Sequence, residues 1–117
     1  MVNKVIVKIY NLKTGQIVEL NGEEIKSKYH PYLKLSIHKS ISPNSKYTIT
    51  DLMTGLSVGQ GKTRLEAIEH MESRFKNISP KEIIKMLRYM YFHRSKELQL
   101  VNPTVIDYIT SLDILYG

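Results

Sequence analysis

Residues 46–77, KYTITDLMTGLSVGQGKTRLEAIEHMESRFKN, read as a β-hairpin that runs directly into an amphipathic helix. Tyr47, Ile49 and Asp51 alternate with Lys46, Thr48 and Thr50, the period of two of a half-buried strand. Met53-Thr54-Gly55 makes the turn and Leu56-Ser57-Val58 returns. Gly59-Gln60-Gly61 is expected to loosen the backbone before Thr63 caps a helix, with Glu66 at its third position completing a capping box. Leu65, Ile68, Met71, Phe75 and Ile78 then fall on one stripe, the side expected to cover the sheet.

Upstream, Val2 to Tyr10 alternates with Val5, Val7 and Ile9 on one side and Lys4, Lys8 and Tyr10 on the other. Leu12-Lys13-Thr14-Gly15 turns the chain, Gln16 to Leu20 pairs back, and Asn21-Gly22 is expected to end that strand. Glu23 to His30 reads as a short helical turn or a loop, closed by Pro31. Tyr32 to Lys39 is a third strand, with Leu33, Leu35 and Ile37 inward and Lys34, Ser36 and His38 outward. A loop, Ser40 to Ser45, leads into the hairpin.

Downstream, Ser79-Pro80-Lys81-Glu82 repeats the capping pattern and opens a second helix to about Leu98; Asn102-Pro103 opens a third, to Leu115. Strands first and helices after argue for an α+β fold: one domain over residues 1–117, an antiparallel sheet of about five strands in residues 1–60 and three helices in residues 63–116. The second helix is more apolar than one stripe requires, through Ile83, Ile84, Met86, Leu87, Tyr89, Met90, Tyr91 and Phe92. Its other side is expected to lie under Val105, Ile109, Leu112 and Tyr116 of the third helix, or against a partner.

A chain of 117 residues that is 42% hydrophobic suits one folded core and argues against disorder. Without cysteine it has neither disulfides nor thiolate metal sites. The N-terminal stretch breaks at Lys8, which does not read as a secretory signal, and no run approaches the roughly 18 apolar residues of a membrane span. A cytoplasmic location is expected. The formal charge of +6 is concentrated: Lys26, Lys28, Lys34, Lys39, Lys46, Lys62 and Arg64 face Asp51 alone between residues 26 and 64, while the two flanks balance to zero. A basic surface of that kind draws polyanions.

Gly61-Lys62-Thr63 matches the end of a phosphate-binding loop, G-x-x-x-x-G-K-[ST]. The first glycine of that pattern falls on Leu56, however, and everything downstream reads helical, so nucleotide hydrolysis is not expected. His30, His38, His70 and His93 are scattered without metal-ligand spacing, and no carboxylate pair or nucleophile elbow stands out. A non-enzymatic protein without metal or cofactor is the expectation.

Gly59 to Ala67, GQGKTRLEA, resembles the last third of double-stranded-RNA-binding domains, which read G-x-G-x-[ST]-[KR]-[KR]-x-A-[KR], and residues 31–78 follow that family's strand order. The resemblance implies a three-stranded sheet under a helix whose first turn grips phosphates. Arg64 matches the first basic position and Lys62 precedes it; Leu65 and Ile68 stand at the other two. Ser42-Pro43-Asn44 stands in place of the family's glycine-proline-histidine loop, and Glu23 to Tyr29 in place of its first helix. In style the chain also resembles accessory proteins of phages and plasmids, among which anti-CRISPR and other anti-defence inhibitors are prominent.

Two surfaces follow as candidates. Lys34, His38, Lys39, Lys46, Lys62 and Arg64 are expected to form a basic partner- or phosphate-binding face, with Ser36, Thr48 and Thr50 beside them. Lys81, Lys85, Arg88, Phe92 and Lys96 form a second strip at helical spacing. The expected partner is a protein or nucleoprotein such as an RNA-guided nuclease, bound as an inhibitor, with contact to a nucleic-acid backbone; direct duplex binding and self-association through the second helix are the alternatives. No membrane role is expected.

Overall fold

The computed structural model describes residues 3–41, 43 and 45–117; the strand start expected at Val2, and Ser42 and Asn44 of the loop, lie outside the described residues. Five strands come first: β1 (Lys4–Asn11), β2 (Gln16–Ile25), β3 (Leu35–Lys39), β4 (Tyr47–Asp51) and β5 (Ser57–Gly61). Three helices follow: α1 (Arg64–Phe75), α2 (Pro80–Val101) and α3 (Val105–Tyr116). Every neighbour in the sheet is antiparallel and the strands lie in chain order, so the fold is α+β, a five-stranded meander followed by helices.

The junction that opens α1 forms as its residues dictate. Gly55 takes a positive φ of 73° and closes the β4–β5 turn by donating to the Asp51 carbonyl at 2.7 Å. Thr63 Oγ1 accepts from Glu66 N at 3.1 Å, and the Glu66 carboxylate reaches back to Lys62 N at 2.9 Å. The orphaned Glu66 amide is thereby satisfied, and the returning Glu66 carboxylate holds the residue before the cap. Gly59-Gln60-Gly61 does not loosen the chain; it is the body of β5. Both glycines exist for packing, since a Cβ at Gly59 would stand 2.8 Å from the Ala67 carbonyl oxygen and from Met71 Cβ, and one at Gly61 would meet Glu66 and Ala67.

α1 buries Ala67, Met71 and Phe75, an i, i+4 row, while Leu65 stays 64% exposed. Leu65 is thus outside the stripe expected for it. These side chains meet Leu35, Ile37 and Ile49 of the sheet, Ile83, Ile84, Leu87 and Leu98 of α2, and Val105, Ile109 and Leu112 of α3 in one cluster. Each fully buried aliphatic side chain contributes about 1.5–3 kcal/mol there. Tyr116, at the end of α3, stacks on Tyr32 at 4.4 Å.

β2 overrides its Asn-Gly signal and continues to Ile25, so Glu23–Ile25 is strand and no helix precedes β3. Gly22 is buried where a Cβ would stand 2.9 Å from Val7 Cγ2 and press on Ser36 Oγ. The β1–β2 hairpin bends over the second face of the sheet, bringing the Lys8 carbonyl and Val101 of α2 against Gly55. The segment from Lys26 to Lys34 is a loop pinned to α1: Glu72 accepts from Ser27 Oγ at 2.5 Å and from Lys28 N at 2.8 Å. Buried His30 completes the pin, donating from Nε2 to the Phe75 carbonyl at 3.3 Å and accepting from the Tyr32 hydroxyl at Nδ1.

α2 runs to Val101, one turn beyond its expected end, with a non-helical residue at Arg94 (φ −136°, ψ 36°). Asn102 opens α3 through its side chain, which accepts from Thr104 N at 3.1 Å.

Candidate basic interface

The second sheet face corrects one expectation. Ser36, His38, Thr48 and Thr50 do not face solvent: they are 0%, 4%, 8% and 1% exposed. Gly22 of β2 lies against Ser36, and Thr48 Oγ1 is bonded to Ser40 Oγ at 2.6 Å. His38 is bonded through both nitrogens. Nδ1–H donates to the Lys39 carbonyl at 2.8 Å, so Nε2 accepts the Thr50 hydroxyl proton at 2.7 Å. Burial lowers its pKa from the ordinary histidine value, against the lesser pull of the Lys39 carbonyl. His38 is held within the sheet by these two bonds and is 4% exposed where it borders the cleft beyond Ile37.

The remaining basic residues divide between two ends of the sheet. Lys34 lies at the start of β3, where its carbonyl accepts from Leu52 N beside the β4–β5 turn. Lys39 ends the same strand, about 17 Å away at the usual rise per residue. Lys39 pairs with Tyr47, Tyr47 pairs with Gly61, and Lys46 N donates to the Gly61 carbonyl at 3.2 Å. Lys39, Lys46, Lys62 and Arg64 therefore gather where β3 and β5 end and β4 and α1 begin, and all four are exposed. Lys34 is apart from them.

A cleft sits at this end because two strands part. β2 and β3 pair only from Glu23–Ile37 to Ile25–Leu35, whereas β3 stays on β4 as far as Lys39. Beyond Ile37 the separation opens a cleft of about 580 Å³ lined by Lys4, Asn21, Gly22, Glu23, Ile37, His38, Lys39, Tyr47 and Arg64. Carbonyls released by the parting find local partners: His38 covers Lys39, and Ser36 Oγ lies 3.5 Å from the Ile37 oxygen. Arg64 is held by Glu23 at 2.5 Å across the cleft mouth. Among the described residues no ion pair takes up Lys4, Lys39, Lys46 or Lys62. Lys62 lines a shallower hollow of about 340 Å³ with Ser45, Gln60, Glu66 and His70, whose Nδ1 accepts from Gln60 N.

Lys4, Asn21 and Tyr47 were not among the residues the sequence singled out. Strand alternation places Lys4 opposite Val5, but its position beside Lys39 depends on the bend of the hairpin.

The second strip is exposed at every position: Lys81, Lys85, Arg88, Phe92 and Lys96. Arg88 is taken by Asp113 of α3 at 2.7 Å.

One buried acid stands elsewhere. Asp51 is 4% exposed, and burial pushes its carboxyl up to about 6 against bonds from Met53 N and the Thr54 side chain. It borders an apolar pocket of about 400 Å³ between β5, α1 and α2, whose lining holds no histidine and no second carboxylate. Tyr108 hydroxyl is buried without a hydrogen-bond partner, and burial and then Asp51 raise its pKa. Among the described residues no cluster of three or more histidine, aspartate or glutamate side chains suited to a metal ion occurs. Among the described residues no helix is long and apolar enough to cross a membrane. Comparison with protein-family models, with curated proteins and with solved structures returns no match for this chain.

Proposed function

We propose that this is a non-enzymatic binding protein that docks the cleft end of its sheet onto an anionic protein or nucleoprotein surface, and that it inhibits a nucleic-acid-directed nuclease in the cytoplasm of a host cell. The observation that carries the reading is the gathering of Lys39, Lys46 and Lys62 at the end of the sheet that holds the β2–β3 cleft, with Lys39 in the cleft lining and no ion pair taking up any of the three among the described residues. Several cations on one rigid end raise the local concentration of a polyanion and fix its orientation.

Direct duplex binding is the second reading, favoured by Lys62 and Arg64 at the start of α1. Against it, Leu65 is an exposed apolar side chain where that class of domain carries a base, and Arg64 is tied to Glu23. An apolar side chain beside cations suits a protein surface better than a phosphate ridge. Binding to duplex RNA, duplex DNA and a guide-loaded nuclease, measured across a salt series, separates the two. The inhibitor reading expects the assembled nuclease to be bound and its cleavage blocked, with bare duplexes left free. Duplex binding with a steep salt slope, and no effect on the nuclease, would replace it.

A further inference from the structure

The pocket of about 400 Å³ between β5, α1 and α2 has the size of a small-molecule site, for which about 300–1,000 Å³ is usual. α2 lines it with Ile83, Met86, Leu87 and Met90, an i, i+3, i+4, i+7 stripe that lies wholly before the bend at Arg94. Its floor is apolar and buried, made by Leu33, Phe75, Ile83 and Leu87. Arg74 of α1 and Arg94 of α2 complete the lining, the first exposed and the second half-buried, so both cations stand at the mouth. We propose that this pocket binds a small monocarboxylate with an unbranched or aromatic apolar body, the body on the floor and the carboxylate on Arg74 and Arg94.

Each arginine is steadied by one bond and keeps donors to spare. Arg74 Nη1 donates to the Val58 carbonyl of β5 at 3.4 Å, which leaves Nη2 and Nε. Arg94 turns Nε to Glu97, which leaves both Nη groups. The departure of α2 from helical angles falls at Arg94 itself, so the residue at which the helix bends is one that lines the pocket. A planar fork of N–H donors matches the two oxygens of a carboxylate.

Charge selects the head group and its place. Two guanidiniums against the Glu97 carboxylate leave one positive charge at the mouth, which a monoanion neutralises. Asp51 is buried, with its carboxyl engaged by Met53 N at 2.9 Å and by the Thr54 side chain. Among the described residues no ion pair joins it to either arginine, so it does not consume their charge. A carboxyl so placed disfavours a second anion beside it and sets the ligand head at the mouth, with the apolar body inward. Met86 and Met90 make the wall adaptable, because unbranched thioether side chains repack around bodies of different outline.

Titration of the full chain with sodium octanoate, octanol and octylamine, read by calorimetry and by the methyl shifts of Met86 and Met90, tests it. Octanoate is expected to saturate with Kd on the order of 10–300 µM, octanol to bind about tenfold more weakly, and octylamine more weakly again. Arg74→Gln and Arg94→Gln are each expected to lower octanoate affinity about tenfold and to leave octanol affinity within about twofold of wild type. No saturable shift with octanoate up to about 5 mM overturns the proposal. So does octanol or octylamine bound as tightly as octanoate, or octanoate affinity indifferent to both substitutions. Should a variant lose its helical circular dichroism, the wild type decides: octanoate preferred over octanol with shifts at Met86 and Met90 supports the site, and the absence of either overturns it.

Discussion

At the scale of single residues, the positions that shape the molecule are those where a side chain is missing or hidden. Gly22 lets β2 lie close against Ser36 and Val7 of the neighbouring strands, and Gly22→Ala is expected to cost about 1–3 kcal/mol in urea denaturation through overpacking. An Asn-Gly pair reads in sequence as the end of a strand; that this one sits inside β2 depends on how closely Val7 and Ser36 of the neighbouring strands approach it. The buried acid and the buried histidine give opposite pH slopes. Asp51 has a folded pKa of about 6, above its ordinary 3.8, so the folded state holds the proton more tightly and the Asp51 contribution falls as pH rises from about 4 to 6. Asp51→Asn is therefore expected to be more stable than wild type at pH 7.5, by on the order of 1–3 kcal/mol, with the gap closing toward pH 4. His38 is depressed below 6.5, so its contribution is complete above that pH and is lost on acidification. Denaturation of Asp51→Asn and His38→Gln across pH 4–8 reads the two slopes separately.

At the scale of elements, local chemistry was legible and coverage was not. The caps at Thr63 and Ser79 form as their residues require. Thr63→Ala is expected to cost about 1 kcal/mol by thermal denaturation, because it frees the Glu66 amide. The five strands follow from alternation and turn residues, but alternation assigns faces without saying what lies over each. Ser36, His38 and Thr50 read as solvent-facing because they are polar, and they are buried, Ser36 beside Gly22 of β2 and His38 bonded to Thr50. Leu65 was misplaced for a related reason: stripes beginning at 64, 65 or 67 all reach Met71 and Phe75 within a helical turn, and the glycines of β5 select the one led by Ala67. Leu65→Lys is accordingly expected to change stability by less than about 0.5 kcal/mol, as its 64% exposure requires.

At the scale of the whole molecule, the charge imbalance seen between residues 26 and 64 resolves into two ends. The sequence located the excess of base; only the meander places Lys39, Lys46, Lys62 and Arg64 together and sets Lys34 at the far end of β3. The apolar outer face of α2 is a separate surface from the cleft end of the sheet. The account rests on the cleft end, and not net charge alone, being the docking surface. Retention on immobilised heparin in a salt gradient tests this most directly, comparing Lys39→Glu/Lys62→Glu with the charge-matched Lys13→Glu/Lys34→Glu, which alters exposed lysines away from the cleft. The account predicts that the first pair elutes at much lower salt than wild type and the second close to it; equal losses in both would contradict it.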